Sequence, residues 1–400
     1  MGLQKKISVL FINHTAKLGG GELALSALIR HLDSQLIKHS VLLCEEGPLV
    51  ERLSAFTEVR VQPLSRQLRE ARKDGLISGK GDLLAKATAL IPYVWSLSRT
   101  IKRLKVDLVH TNSLKADILG GLAARLAGTK VIWHVRDRIE VDYLPARVVK
   151  VFRRLVRLIP HAVITNSHAT METLHLGSPD QVQSDRGAWK GWSRVVHDGF
   201  DFSASSSTPI STSGPLAIGL IGRISPWKGQ DIFLRAAAIV HQSFPEVRFR
   251  VIGSALFGEE EYEKRLHQLC IELELVNCVD FLGFISNIQA EIERLDLVVH
   301  ASTIGEPFGQ VVIEGMAARK AIIATRGGGI PEIVLDGETG ILVAMKDVDA
   351  MARAMLTLLS QPKRREEMGN QGFQRIVDAF SIQKTADSVG RFYQDLFHGL

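Results

Sequence analysis

Residues 7–31 read ISVLFINHTAKLGGGELALSALIRH. An apolar run, Ile7 to Ile12, precedes three glycines, and LALSALI after them repeats its apolar positions at helical spacing. Strand, glycine loop and helix is the order in which a chain opens a parallel α/β sheet and builds a phosphate cradle. In the frame G-x-G-x-x-A, Gly19, Gly21 and Ala24 fit the dinucleotide fingerprint, and the next strand, SVLLC (40–44), ends in Glu45 and Glu46, where a ribose-binding acid belongs. An NAD-dependent oxidoreductase is therefore one reading of this stretch.

The alternation continues outward. Apolar runs at VDLVH (106–110), VIWHV (131–135) and HAVITNS (161–167) are separated by helical stretches at 22–32, within 81–104 and at 114–126. This βαβα rhythm predicts a parallel sheet with helices on both faces. SASSSTPISTSGP (203–215) is the most Ser/Thr/Pro-rich stretch and marks a linker between an N-terminal domain, 1–202, and a C-terminal one, 216–380. The pattern then repeats in PLAIGLIG (215–222), RFRVIG (248–253), VDFLGF (279–284), LDLVVHAS (295–302) and AIIAT (321–325). DGETGILV (336–343) reads as a small hairpin around Gly337, with helix to the end. The predicted fold is α/β: two Rossmann-like, doubly wound parallel-sheet domains facing each other across a ligand-binding cleft.

At 400 residues, 46% apolar and 23% charged, the chain has an ordinary globular composition and is long enough for two cores. No apolar stretch approaches the roughly eighteen residues of a membrane span, and the run after the basic N-terminus is too short for a signal peptide. Lys6 stands where a myristoylation signal carries Ser or Thr. Cys44, Cys270 and Cys278 have no motif spacing and read as reduced thiols of a cytoplasmic protein. The net charge of +6 is uneven: residues 1–200 hold 30 Lys and Arg against 18 Asp and Glu, and residues 201–400 hold 19 against 25. The basic half suits an anionic membrane or substrate; with no zinc finger or aromatic-interleaved basic motif, nucleic acid is not an expected partner.

The chemistry concentrates in the second half. Arg223 stands just past a strand and Lys228 at the start of the next helix, a spacing that suits a diphosphate, or else two solvated surface cations. EPFGQVVIE (306–314) sets Glu306 and Glu314 in the frame E-x7-E. Pro307 and Gly309 keep Glu306 in a loop, while the helix QVVIEGMAARK carries Glu314 about a turn and a half inside. The free N–H groups of Gly309, Gln310 and Val311 then face an anion, and the two carboxylates accept from vicinal hydroxyls, as a sugar nucleotide requires. The triplet Asp347-Val348-Asp349 precedes AMARAMLTLL and reads as a helix N-cap, so neither a metal site nor a cofactor is expected.

EPFGQVVIE, with GRISPWKG (222–229) upstream and RGGGIPEIVLDGETGILV (326–343) downstream, resembles the C-terminal domain of the retaining GT-B glycosyltransferases of family 4, the group 1 type. VVHDGFD (195–201) resembles that family's hinge, usually written with Asn where this chain has Asp198, and VDFLGF resembles the strand whose following loop cups the base. SIQKTADSVGRFYQDLF (381–397) resembles the final helix that crosses back to the N-terminal domain. The motifs run in family order over nearly the whole chain.

The resemblance implies retaining transfer of a sugar from a UDP-, GDP- or ADP-sugar to a hydroxyl of a glycan, lipid-linked or small-molecule acceptor, in cell-surface polysaccharide or glycolipid synthesis. It implies that Arg223 and Lys228 bind the donor diphosphate and stabilise its leaving charge, that Glu314 holds the ribose and that Glu306 contacts the transferred sugar. Phe308, Gly309, Gln310 and Val311 line the donor, the last three through backbone N–H groups. Phe284 and Ile285 lie against the base, with core packing an equal alternative for Phe284. His134, near the end of VIWHV, is implied at the reaction centre, although a lone histidine there also reads as structural. Gly20 and Gly21 become backbone contacts beside the donor diphosphate and the incoming acceptor. A sugar-nucleotide epimerase of the same architecture is the alternative, ahead of the NAD enzyme.

Asn13, His14, Asn112, Arg136, Asn166 and Ser167 lie at or near strand ends, as acceptor contacts or helix caps. LSRTIKRLK (97–105) and ARVVKVFRRLVRLIP (146–160) mix cations with apolar residues. They read either as segments that dock on the inner face of an anionic membrane or as core-facing helices with solvated basic faces.

Overall fold

The computed structural model describes residues 6–64, 82–176, 191–204, 214–256 and 258–398, without the side chains of 82–89, 204 and 398. The chain divides into two compact units, Met1–Asp198 with Ile382–Leu400, and Gly199–Ser381. The division falls at Asp198, ahead of the stretch expected as linker, of which 205–213 lie outside the described residues.

In the first unit β1 (Ile7–Asn13), β2 (Ile37–Leu43), β3 (Glu58–Val61), β4 (Leu108–Thr111), β5 (Lys130–Val135), β6 (Ala162–Thr165) and β7 (Trp192–Val195) form one parallel sheet. Their order is β3-β2-β1-β4-β5-β6-β7. The central strands are buried on both sides, which is why they read as unbroken apolar runs. On one face Leu25, Leu28 and Ile29 of the helix Gly20–His31 pack with Val389, Phe392 and Tyr393 of the helix Ile382–His398 over Phe11, Ile132 and Ile164. On the other, the helices Asp82–Leu104, Leu114–Ala127 and Ala146–Leu155 enclose Trp133, whose ring lies 5.2 Å from that of Phe152.

Both basic stretches set one side of their helices in the core. Leu97 and Ile101, and Val148, Val149 and Phe152, are buried in the core, while Ile91, Trp95 and Leu158 are exposed. Arg153 is turned inward too, donating to the carbonyls of Ile139 and Thr173 and to Glu140, each at 2.8 Å. Arg147, Lys150, Arg154 and Arg157 face solvent. No helix among the described residues is long and apolar enough to cross a membrane.

In the second unit β8 (Ala217–Ile221), β9 (Arg248–Ile252), β10 (Val279–Gly283), β11 (Leu297–His300), β12 (Ala321–Thr325) and β13 (Ile341–Val343) pair in parallel in the order β10-β9-β8-β11-β12-β13. Phe233, Phe249, Leu266 and Met355 fill one face, and Phe308, Ile313, Met316 and Phe380 the other. The stretch DGETGILV is not a hairpin. Gly337, at φ +82°, turns the chain with its N–H on the Gly340 carbonyl at 2.8 Å, but Ile341–Val343 then joins β12 in parallel and buries Leu342 and Val343. Asp347 caps the helix Val348–Ser360 by accepting from the Ala350 N–H at 2.8 Å.

Both sheets reverse their winding between two neighbours, β1 and β4 in the first and β8 and β11 in the second. Ligands of open α/β sheets bind in the crevice beyond the C-terminal ends of such a pair. Asn13 and Asn112 stand there in the first unit, and Arg223 and Ser302 in the second.

Candidate functional site

In the second unit the site is built around Glu306. The loop that carries it leaves β11 and meets the RGGG loop after β12 in a short parallel bridge, Glu306 to Gly328. Gly328 has φ +61°, and a Cβ there would sit 1.8 Å from the Glu306 carbonyl oxygen, so only glycine fits. The Gly329 N–H donates to that same carbonyl at 2.9 Å. The backbone of Glu306 is thus clamped before its side chain is placed.

Three partners gather on one oxygen of the carboxylate, Oε1. Lys228 forms an ion pair with Oε1, Ser302 donates to it at 2.7 Å, and His300 Nε2 lies 3.2 Å away. Burial alone raises a carboxyl pKa, but Lys228 and then His300 more than offset it and hold Glu306 well below the usual carboxylate range. Lys228 comes from the short turn Pro226–Lys228 after β8 and lies 4.3 Å from the Trp227 ring centroid. Arg223 lies in the same connection, its carbonyl accepting from the buried Gln230 at 3.0 Å.

Gly309 (φ +131°) caps the helix Gln310–Ala317, with Val311 in its first turn. Gln310 Nε2 donates to Glu314 Oε1 at 3.4 Å, which leaves that carboxylate with one weak partner, and burial pushes its pKa up to about 7. Phe308 is turned away: its side chain is buried with Phe380, ring centroids 6.2 Å apart, and Val312. Any part it plays toward a donor falls to its backbone. Phe284 is 71% exposed, so the core-packing alternative for it does not hold.

In the first unit the expected residues stand differently. His134 is fully buried inside β5, facing His110 Nε2 across 3.1 Å, rather than presented at the strand end. Burial, then Arg136 and His110, keep it neutral far below the ordinary histidine range, and burial and Arg136 push His110 down to about 3. His110 in turn meets the Tyr393 hydroxyl at 2.6 Å. The residue past the strand end is Arg136, which donates through Nε to Asn112 at 2.9 Å and pairs with Asp198. Asn112 donates to the Gly21 carbonyl at 3.2 Å, so the glycine loop is tied to this network through its backbone. Gly20 opens the helix Gly20–His31, and Glu22 in its first turn accepts from Asn13 at 3.2 Å. Ser167 is a helix cap, accepting from the Thr170 N–H at 2.9 Å.

Glu45, expected to hold a ribose in the dinucleotide reading, accepts from the Thr15 hydroxyl and from the Ala16 N–H at 3.0 Å. It braces the loop before the glycines, which leaves the exposed Glu46 as the acid of the oxidoreductase reading.

Comparison with known proteins decides the family. Residues 18–183 match the family model described as Glycosyltransferase Family 4, and residues 208–375 match Glycosyl transferases group 1. The chain belongs to the group 1, family 4 glycosyltransferases. It is similar to the lipopolysaccharide core biosynthesis mannosyltransferase LpcC of Rhizobium leguminosarum bv. viciae, at 28% identity over 45% of this chain and 51% of that one. It is also similar to a D-inositol 3-phosphate glycosyltransferase of Streptomyces avermitilis, at 26% over 72% and 65%. The chain spans about half the length of the first of these curated relatives. Among solved structures, Anabaena HepE in complex with UDP and glucose superposes with a TM-score of 0.81 at 26% identity, covering 97% of this chain and 99% of that one. The two parallel-sheet units are those of the GT-B fold.

Within this family 4 chain, sequence reasoning missed the residues that hold Glu306. His300 and Ser302 were on view in LDLVVHAS as polar residues at the end of a buried strand, a position where side chains point past the sheet edge. The Arg136–Asp198 pair carried no local signal, since its partners are 62 positions apart.

Proposed function

We propose that this protein is a retaining glycosyltransferase that moves a hexosyl group from a nucleoside-diphosphate sugar to a hydroxyl acceptor. The observation that carries the reading is the gathering of Lys228, Glu306, the helix start at Gly309–Gln310–Val311 and Glu314 on one crevice edge. The amides and Lys228 suit the diphosphate, Glu314 the ribose diol, and Glu306 the hydroxyls of the sugar. Lys228 rests on Glu306; a diphosphate offers it more negative charge, and Arg223 from the same connection joins it there. These cations and the helix N-terminus stabilise the charge that grows on the departing phosphate.

The transfer runs on the face from which the nucleotide leaves. The bond from the anomeric carbon to the phosphate oxygen breaks through an oxocarbenium-like state, the acceptor oxygen bonds to that carbon, and the acceptor proton passes to the leaving phosphate oxygen. Glu306 is assigned recognition rather than attack, with Lys228, His300 and Ser302 holding its Oε1 in place. UDP-glucose is the first donor to try, from the likeness to HepE, and GDP-mannose the second, from the likeness to LpcC. The LpcC likeness also favours a lipid-linked glycan as acceptor, reached by a protein that touches the membrane through its exposed cations.

Mass spectrometry of protein quenched during turnover tests the mechanism. No sugar adduct is expected on any carboxylate; a glycosyl group trapped on Glu306 would replace this route by a two-step one.

A further inference from the structure

We infer that His300 is doubly protonated and acts as a positioning residue, a fixed second counter-charge that keeps the Glu306 carboxylate in place when Lys228 turns to the donor phosphates. The hydrogen-bond inventory around the ring carries this. Thr325 Oγ1 lies 2.8 Å from the Ser302 carbonyl and 3.3 Å from His300 Nδ1. A hydroxyl has one proton, and the shorter contact to a carbonyl, which can only accept, claims it. Thr325 therefore offers His300 a lone pair, and Nδ1 must donate.

The same count applies at the other nitrogen. Ser302 Oγ is 2.7 Å from Glu306 Oε1 and 3.1 Å from His300 Nε2. The carboxylate, paired with Lys228, can only accept, so the serine proton goes to it and Nε2 is left facing a hydroxyl lone pair and a carboxylate oxygen. Nε2 must donate as well. A neutral ring, with one N–H, would set two acceptors against each other at one side or the other, inside a site where His300 is 4% exposed.

The charged groups bonded to this cluster, among the described residues, are Glu306 and Lys228; β12 supplies only the Thr325 hydroxyl. The buried set is thus two cations on one carboxylate, a net charge that suits an approaching anion. Removing Lys228 from Glu306 without a second cation would strand a buried carboxylate, which is strongly unfavourable. With His300 in place the carboxylate keeps its charge and its orientation toward the sugar.

The protonation stands on geometry alone, whereas the positioning role rests on the transferase reading above, so two experiments separate them. Side-chain nitrogen–proton correlation spectra of labelled protein at pH 7, with His300 assigned by its loss in His300→Gln, read the ring directly. Both nitrogens are expected to carry protons; one pyridine-type nitrogen overturns the inference. In Glu306→Gln the ring is expected to lose one proton, and an imidazolium that persists there overturns the pairing. Should His300→Gln not fold, Thr325→Val identifies the ring by displacing its Nδ1–H signal. In steady-state kinetics, His300→Gln is expected to lower kcat by about tenfold or more with the donor KM within about twofold, because the sugar-facing carboxylate is misplaced while the diphosphate contacts are kept. An unchanged kcat overturns the positioning role. A wild type that transfers nothing contradicts the transferase reading, and the spectra still decide the protonation.

Discussion

Glu314 is the residue whose chemistry is most out of the ordinary. A carboxyl held near pKa 7 in the folded chain, against 4.5 when unfolded, costs nothing below about pH 4.5, and stability falls as pH rises through 7. Glu314→Gln removes that cost. It is expected to raise the unfolding temperature at pH 8, by about 1–2 kcal/mol in stability, and to leave it nearly unchanged at pH 4.5. Thermal melts at the two pH values check the sign; a loss of stability at pH 8 contradicts it. If ribose hydroxyls donate to this carboxylate, they favour its ionised form, and nucleotide binding near pH 7 releases a proton. Calorimetry in two buffers of different ionisation enthalpy reads that proton.

Two more residues of the first unit lend themselves to substitution. The side chains of Arg136 and Asp198 are each only 7% exposed. Asp198→Ala leaves a buried guanidinium unpaired and is expected to destabilise the first unit by about 3 kcal/mol, while Asp198→Asn, the residue usual at this place in the family, keeps an acceptor and costs less. Equal melts for the two variants would show that the charge pair does not matter. Gly21 tells a different story from the one its sequence suggested. A Cβ there would meet Arg136 Cδ at an ordinary 3.7 Å, so no clash within the unit demands glycine. Gly21→Ala is expected to fold normally and keep nucleotide affinity, with lower transfer; lost nucleotide affinity instead would return this loop to nucleotide binding.

At the scale of elements, the two glycine triads exchange importance. The first, Gly19–Gly21, opens a helix and stays compatible with small side chains at Gly21; the second, Gly327–Gly329, lies against the backbone of Glu306 to Phe308. Gly328→Ala pushes a Cβ into the Glu306 carbonyl and is expected to abolish transfer with a stability loss of about 2 kcal/mol or more. Near-normal turnover in that variant would mean that the clamp does not set the site.

The legible elements were those whose signal is local. Central strands such as Val9–Ile12 and Ile322–Ala324 are buried on both faces and declare themselves as apolar runs, and Asp347 declares its helix by capping it. β3 and β7 were missed because they lie at the sheet edges, where EVRV alternates exposed and half-buried residues, WSRV is half-buried throughout, and both carry charge. Ile341–Val343 was misread because a glycine turn precedes a hairpin strand and a parallel edge strand alike; only the partner, β12, distinguishes them. The same limit hid half of the site. E-x7-E is contained in one loop and helix, but the groups that fix Glu306 come from three separate connections, and no spacing rule joins Lys228, His300 and Thr325.

For the molecule as a whole, the excess of cations in the first unit lies among scattered exposed apolar side chains, Ile91, Trp95, Leu126 and Leu158 among them, rather than beside a continuous apolar helix face. Binding to anionic vesicles is expected to be mainly electrostatic: flotation at low salt and release at about 0.5 M salt, where screening is short-ranged. Flotation that persists at high salt would contradict this and point to insertion of exposed side chains such as Trp95 and Ile91, since Val148, Val149 and Phe152 are packed in the core.

The central claim is that Lys228 and its neighbours on the second unit hold a sugar nucleotide for transfer. The most direct measurement is nucleoside diphosphate release from UDP-glucose, GDP-mannose and ADP-glucose, followed with the wild type and with Lys228→Ala, hydrolysis to water being a sufficient readout when no acceptor is supplied. One donor turned over by the wild type and slowed by about 10²-fold in Lys228→Ala is the predicted result. Equal rates in the two proteins, or no release from any donor, would contradict it.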